Sequence, residues 1–250
     1  MKTTRKCCRI GALAGALALL LTLLPAPSAS ASDSRWQREI QEIDSKLDAE
    51  RWESAHKQAT KLLKEVARRL NGGNDAGKIL GVVLTQRAVA SIVLEREDEA
   101  LWDFHLAQNL FPQVLETDFT KYHPRTQILA ERALSEEELA SGEYPAELWG
   151  ERRCSEDDPT YLAPESKRKG LQRPYPVGAD KAGHDGRVTI FFLLTADGRL
   201  TRPLVQTKDR FPTIIWGAAE LARKHSYTPA YCGETPVVSG FGYHVDYGLQ

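Results

Sequence analysis

From Gly186 the chain carries a run that leaves little choice of local structure. Val188, Ile190, Phe192 and Leu194 alternate with Phe191 and Leu193. A strand over Arg187 to Thr195 therefore has two apolar faces, and both must be covered. Asp197-Gly198 follows at once, a dipeptide that tight hairpins favour because it tolerates positive φ. The returning run Leu200 to Thr207 contains Pro203, which lacks an N–H donor and belongs on an edge or at a bulge. Phe211-Pro212 then opens a helix with Ile215, Ala218, Ala219 and Ala222 on one face, proline suiting the first turn. Tyr227 to Tyr231 and Val237 to Tyr247 read as the last strands, around Cys232-Gly233. In the final one Val237, Phe241, Tyr243, Val245 and Tyr247 alternate with Val238, Gly240, Gly242, His244 and Asp246. Tyr175-Pro176 fixes an extended entry, and a short helix is expected over Val177 to Ala182. Residues 171–250 thus form a small α+β unit, a three-stranded antiparallel sheet with two helices on one face.

The preceding stretch is different. Asp33 to Ala140 is rich in Ala, Leu, Glu, Arg and Gln, with Pro only at Pro112 and Pro124, and reads as antiparallel helices. Trp36, Ile40, Ile43 and Leu47 share one face behind an expected N-cap at Asp33. A second helix, Arg51 to Leu70, turns Ala55, Ala59, Leu62, Leu63 and Val66 inward and stops at Asn71-Gly72-Gly73. Leu80, Leu84, Ala88, Ser91 and Val93 mark a third. Glu99 to Leu110 is a fourth, packing through Ala100, Phe104 and Ala107, and His123-Pro124 opens a fifth with Ile128, Leu129, Ala133 and Leu134 inward. Ala88, Ala100, Phe104, Ala107 and Pro112 stand at the spacing of the small, Phe and Pro positions of a tetratricopeptide repeat. That resemblance is degenerate, with Leu84 and Ser91 at the usual Trp and Tyr positions. It implies helical hairpins at 32–140, an unrelated helical bundle being the other reading. Residues 141–170 read as a linker, and Tyr144, Trp149, Tyr161 and Leu162 are too apolar for a freely solvated tether, so it should lie against one domain.

Lys2, Arg5, Lys6 and Arg9 precede an apolar run from Ile10 to Leu24, then Pro25, Pro27 and Ala29-Ser30-Ala31. These are the three parts of a secretory signal. As a helix the run reaches only about 22 Å, short of a bilayer core of about 30 Å. Residues 1–31 are therefore expected to be cleaved, the alternative being an uncleaved inner-membrane anchor facing the periplasm. Cleavage removes four of 33 basic residues and none of 34 acidic ones, leaving a mildly acidic chain. No basic stripe suggests nucleic acid, and no later apolar run is long enough to cross a bilayer. Cys7 and Cys8 leave with the peptide. Cys154 and Cys232 remain, and in an exported chain they read as one disulfide or as two thiols. Closing a loop of about 79 residues contributes roughly 4 kcal/mol in the chain-entropy model.

In order and spacing, Gln172-Arg173-Pro174-Tyr175-Pro176, Gly186-Arg187-Val188 with its apolar strand, Asp197-Gly198, Tyr227-Thr228-Pro229-Ala230 and Gly233-Glu234-Thr235-Pro236-Val237 resemble the C-terminal domain of TonB-type periplasmic proteins. The likeness covers roughly a third of the chain. It implies a protein-binding function in the cell envelope. In that family the Gln-x-x-Tyr-Pro element and the last strand accept an extended segment of an outer-membrane transporter as an added strand. Carried over, the partner-binding residues are Gln172, Pro174, Tyr175 and Pro176, with Val237, Val238, Ser239, Gly240, Phe241, Gly242, Tyr243, His244 and Val245. Arg173-Pro174 departs from the family's Pro-Gln order. Gly240 and Gly242 either admit a close backbone or mark a bulge or twist. The apolar run Ile10 to Leu24 holds no His, and no long Pro-rich spacer is present, both of which an energy transducer of this type needs. The expected function is a periplasmic adaptor, with transduction in transmembrane transport, or a helical scaffold with a purely structural C-terminal domain, as alternatives.

An enzyme is not expected. Histidines 56, 105, 123, 184, 225 and 244 are scattered, without His-x-x-x-His, Cys-x-x-Cys or Gly-x-Ser-x-Gly. No catalytic residue, metal ligand or cofactor-binding residue is assigned, and no cofactor is expected.

Overall fold

A computed structural model describes residues 31–69, 74–134, 158–167, 183, 186–206 and 211–248. Five helices come first: α1 (Ala31–Asp48), α2 (Trp52–Arg69), α3 (Asn74–Val93), α4 (Glu97–Leu110) and, after a 3-10 turn at Pro112–Glu116, α5 (Pro124–Leu134). Each of α2 to α5 packs on its predecessor. In α2 the apolar positions Ala55, Ala59, Leu62, Leu63 and Val66 repeat at helical spacing and all are buried. Glu53 in its first turn and Arg68 and Arg69 in its last complement the helix dipole.

α3 is the centre of this layer, touching α1, α2, α4 and α5. Contrary to the expectation that no later run is long enough to cross a bilayer, residues Asp75–Val93 are long and apolar enough to do so, but 78% of that window is buried inside the protein. A helix apolar all round is here a core helix.

The hairpins α1–α2 and α3–α4 close with the same main-chain device. Arg51 N–H bonds the Lys46 carbonyl and Glu50 N–H that of Leu47, while Arg96 N–H bonds Ser91 and Glu95 N–H bonds Ile92. This is the double bond of a Schellman motif, with its left-handed residue at Glu50 (φ 55°) and Glu95 (φ 59°). One offset relates Glu50 to Glu95, Arg51 to Arg96 and Ala55 to Ala100, so the hairpins share a register that their side chains largely conceal. Glutamate pays for φ > 0 with a Cβ clash that glycine lacks. Glu95→Gly is expected to raise stability by about 0.5–1 kcal/mol in chemical denaturation.

Strands follow: β1 (Tyr161–Leu162), β2 (Glu165–Ser166), β3 (Gly186–Leu194) and β4 (Leu200–Gln206), then α6 (Pro212–Lys224), then β5 (Tyr227–Thr228), β6 (Ala230–Cys232), β7 (Thr235–Val237) and β8 (Ser239–Tyr247). The main sheet is three-stranded and antiparallel, as expected, in the order β4-β3-β8, whereas the expected strand Tyr227 to Tyr231 breaks at Pro229 into β5 and β6, which pair elsewhere. Two smaller antiparallel sheets, β1-β6-β7 and β2-β5, accompany it. Tyr161 to Ser166, read from sequence as linker, thus supply two short strands that pair with the C-terminal unit.

At the hairpin Gly198 takes φ +81°, and Thr195 and Arg199 close the turn through Thr195 N–H to the Arg199 carbonyl. Pro203 falls at a bulge on an outer strand. The β3–β4 register slips between Phe191 and Leu193, so Arg202 and Pro203 together oppose Phe192. Arg202 carries the strain, with φ 55°.

α6 is sandwiched between the two layers, against α2, α3 and α4 on one side and β3, β4 and β8 on the other. That is why its burial exceeds the single face expected. Ile214, Trp216 and Leu221 are buried as well as Ile215, Ala218, Ala219 and Ala222. One continuous apolar cluster joins Leu63 and Leu84 of the helices to Ile190 and Phe192 of the sheet through Ile214 and Ala218.

Two further expectations fail. Helix α1 is already running at Ala31, so Asp33 lies within it rather than capping it. In α5, Ile128 is 64% exposed, and the inward face is Thr126, Leu129 and Ala130. These stand at i, i+3 and i+4, and Ile128 lies between them on the far side. Ala133 and Leu134 lie in the last turn of α5, and nothing is assigned to their side chains; the stop at Asn71-Gly72-Gly73 and the helix over Val177 to Ala182 lie outside the described residues.

Candidate functional site: the last strand of the main sheet

Val237 ends β7, Val238 makes the step, and Ser239 to Val245 belong to β8, so these expected partner-binding residues fall on one continuous run. Gln172, Pro174, Tyr175 and Pro176 lie outside the described residues. β8 pairs with β3 along its whole length, Ser239 opposite Leu194 through Tyr247 opposite Gly186. Its inward face carries Ser239, Val245 and Tyr247, all buried, with Phe241 and Tyr243 half-buried. Gly240 and His244 are exposed.

The inward face is locked by aromatic packing. Phe192 stacks on Phe241 at 5.5 Å and meets Tyr227 edge-on at 5.3 Å, and Tyr227 meets Phe241 at 5.2 Å. Such pairs contribute about 0.5–1.5 kcal/mol each beyond the area they bury. Burial pushes the Tyr227 phenol up, and its hydroxyl donates to the Ala222 carbonyl at 3.0 Å. The Tyr243 hydroxyl is hydrogen-bonded to His225 Nε2 at 3.1 Å, and His225 Nδ1 to Ser166 Oγ at 3.0 Å. One imidazole therefore ties β8 to the end of α6 and to β2.

On the outward face Thr189 Oγ1 and His244 Nδ1 are hydrogen-bonded at 3.0 Å, and Arg187 pairs with Asp246 at 2.6 Å. Phe191 lies over Gly242, where an added Cβ would stand 3.1 Å from the ring. The missing side chain at Gly242 is thus filled from within the chain by an aromatic ring on the neighbouring strand.

The two outer strands of the sheet differ. β4 is flanked by α4, and Val205 N–H reaches Asn109 Oδ1 at 3.4 Å. Among the described residues β3 is the one strand that pairs with β8. Cys232, just upstream, is disulfide-bonded. The expected second half, Cys154, lies outside the described residues.

A second polar assembly went unread in the sequence. Arg87 of α3, 2% exposed, grips the buried Asp103 of α4 in a bidentate pair at 2.6 and 2.7 Å. Glu220 of α6 stands 3.5 Å from Arg87. Arg223 of α6 pairs with Glu99 at 3.1 Å, and His56 of α2 stands 3.3 Å from Glu99. Four helices meet at these charges. Burial pushes the Asp103 carboxyl up and opposes the charge on Arg87, but the short two-point contact holds Arg87 protonated. The available signal was a break in pattern, an Arg inside the apolar run of α3 and an Asp between Trp102 and Phe104.

Burial alone would raise Glu99, yet the contacts with His56 and Arg223 outweigh it and bring the carboxyl down to about 2 from 4.5. A depressed folded pKa contributes stability that is present above the unfolded value and lost as pH falls through the folded one. Glu99 is thus expected to contribute stability that is present above pH 4.5 and lost as pH falls from 4.5 toward 2, solvent screening at this half-buried site keeping it small. Denaturation midpoints measured across that window should fall more for the native chain than for Glu99→Gln.

Among the described residues no cluster of three His, Cys, Asp or Glu could hold a metal ion. Compared with known proteins, the chain matches no family model, no curated protein and no solved structure.

Proposed function

We propose that this chain is a periplasmic, non-enzymatic adaptor of the TonB C-terminal type that takes an extended segment of a partner along β8. The observation that carries the reading is the sheet order β4-β3-β8, which among the described residues leaves β8 as the outer strand away from α4. An outer strand offers main-chain N–H and C=O groups to an incoming chain. The exposed Gly240 within Ser239–Gly242 sets no side chain against a close backbone. The partner in this reading is a protein with an extended segment, such as an outer-membrane transporter. The export pattern at residues 1–31 supports the periplasmic location, and N-terminal sequencing of the exported chain should begin at Ser32.

The repeated hairpin closure at Glu50 and Glu95 supports a duplicated helical hairpin in α1 to α4, at a spacing of 95 − 50 = 45 residues, longer than the roughly 34 of a tetratricopeptide repeat. α6 fills one face of α2, α3 and α4, so the helical part offers partners its remaining faces.

Proline at Gly240 and at Val245 tests the reading. These positions differ by an odd number of residues, so only one of them turns its N–H away from β3. That variant should keep its far-UV circular dichroism and lose capture of the segment that the full native chain retains from periplasmic extract. Undiminished capture by both variants would refute strand addition at β8.

A further inference from the structure

The C-terminal ends of α1 and α3 and the loop before α5 enclose a cleft of about 400 Å³ that is separate from β8. Leu47 and Val93 form its apolar lining, Trp52 and Tyr122 supply half-buried aromatic surface, and Asp48 and Glu50 stand exposed at its border. Lys121 already sits over the Tyr122 ring, its ammonium 4.7 Å from the centroid. Contact with Tyr122, and then the nearby Asp44 and Asp48, make that lysine hold its proton more firmly. α1 and α3 end here at Asp48 and Val93, and helix C-termini add partial negative charge. Asp44 and Asp48 thus act on one lysine, Glu50 borders the same cleft, and two helix ends add partial negative charge beside the aromatic rings. Aromatic faces beside excess negative charge select a cation, and a flat guanidinium both stacks on indole and pairs with carboxylates. The cleft is too small for a folded element and large enough for one long side chain.

We infer that this cleft receives an arginine side chain of a partner protein, stacked on Trp52, paired with Asp48 and Glu50, and displacing Lys121 from Tyr122. This site stands independently of strand addition at β8. Charge complementarity decides the occupant, because a guanidinium gains attraction from Asp48, Glu50 and the aromatic faces that an apolar side chain does not.

Titration of the full chain with Nα-acetyl-arginine amide, followed through the Trp52 indole N–H resonance, tests it. The arginine derivative should shift that resonance saturably, and the neutral isostere Nα-acetyl-citrulline amide should bind about ten-fold more weakly or worse. Asp48→Asn with Glu50→Asn should weaken arginine binding by about five-fold or more, asparagine tolerating the left-handed backbone at position 50. Lys121→Ala should tighten it about two- to five-fold, since the competing internal cation is gone. Equal binding of citrulline and arginine, an unmoved Trp52 resonance, or Lys121→Ala binding no tighter than the native chain would each overturn the assignment.

Discussion

Arg87→Ala is expected to destabilise the protein by about 3–5 kcal/mol, because it strands a charge among four helices rather than merely deleting a contact. Asp103 is fully buried, and Arg87 supplies both of its shortest bonds, at 2.6 and 2.7 Å. Arg223 remains, but at 3.7 Å it cannot replace a bidentate partner. Removing Arg87 therefore leaves a carboxylate that must either stay charged in a low-dielectric site or take up a proton. Proton uptake makes the loss depend on pH, smaller in acid than at pH 7. Replacing both partners, Arg87→Met with Asp103→Leu, should recover most of the loss, since the desolvation cost of the pair disappears with its attraction. Chemical denaturation of the three proteins decides. A loss below about 1 kcal/mol for Arg87→Ala would mean that water reaches the pair and that it contributes no more than a surface bridge.

Phe192→Ala carries the other large expected effect, about 3–5 kcal/mol. The ring is fully buried and meets Trp102 of α4 at 6.0 Å, Tyr227 at 5.3 Å and Phe241 of β8 at 5.5 Å. Phe192 is thus the residue through which helix α4, the short β5 strand and β8 share one aromatic core. Truncation leaves a cavity whose walls belong to both layers, so neither can close it alone. Helical far-UV and aromatic near-UV signals should shift together to lower denaturant, the mark of a single cooperative unit. Loss of the near-UV signal alone, with the helical transition in place, would show that helices and sheet unfold independently.

Much of this architecture could be read from residue order. Helices α2 to α4 kept their expected inward residues because Ala, Leu and Val recur at helical spacing over many turns, and periodicity of that length overrides local noise. The β3–β4 hairpin is equally legible, since Asp197-Gly198 permits the positive φ a tight turn needs and Pro203 fixes φ and removes a donor. What stayed hidden depends on tertiary neighbours. Ile128 faces out although it is as apolar as Leu129, because the packing side of a short helix is set by α3 and α4, and its own sequence carries too few turns to declare it. The sandwiching of α6 was invisible because Ile214, Trp216 and Leu221 read as exceptions to a one-faced helix until a second layer covers them. At the candidate site the alternation along β8 was plain, while the covering of Gly242 by Phe191 was not. It arises from cross-strand register, which no local window specifies. The Arg87–Asp103 pair was hidden for a similar reason, its partners lying on different helices.

Acceptance of a strand by β8 is read directly by amide hydrogen exchange. With the captured segment supplied as a synthetic peptide bound to the full chain, alternate amides across Ser239 to Gly242 should gain protection, those pointing away from β3, while their neighbours stay as in the free protein. Protection confined to the helices, with β8 exchanging as it does unbound, would contradict it.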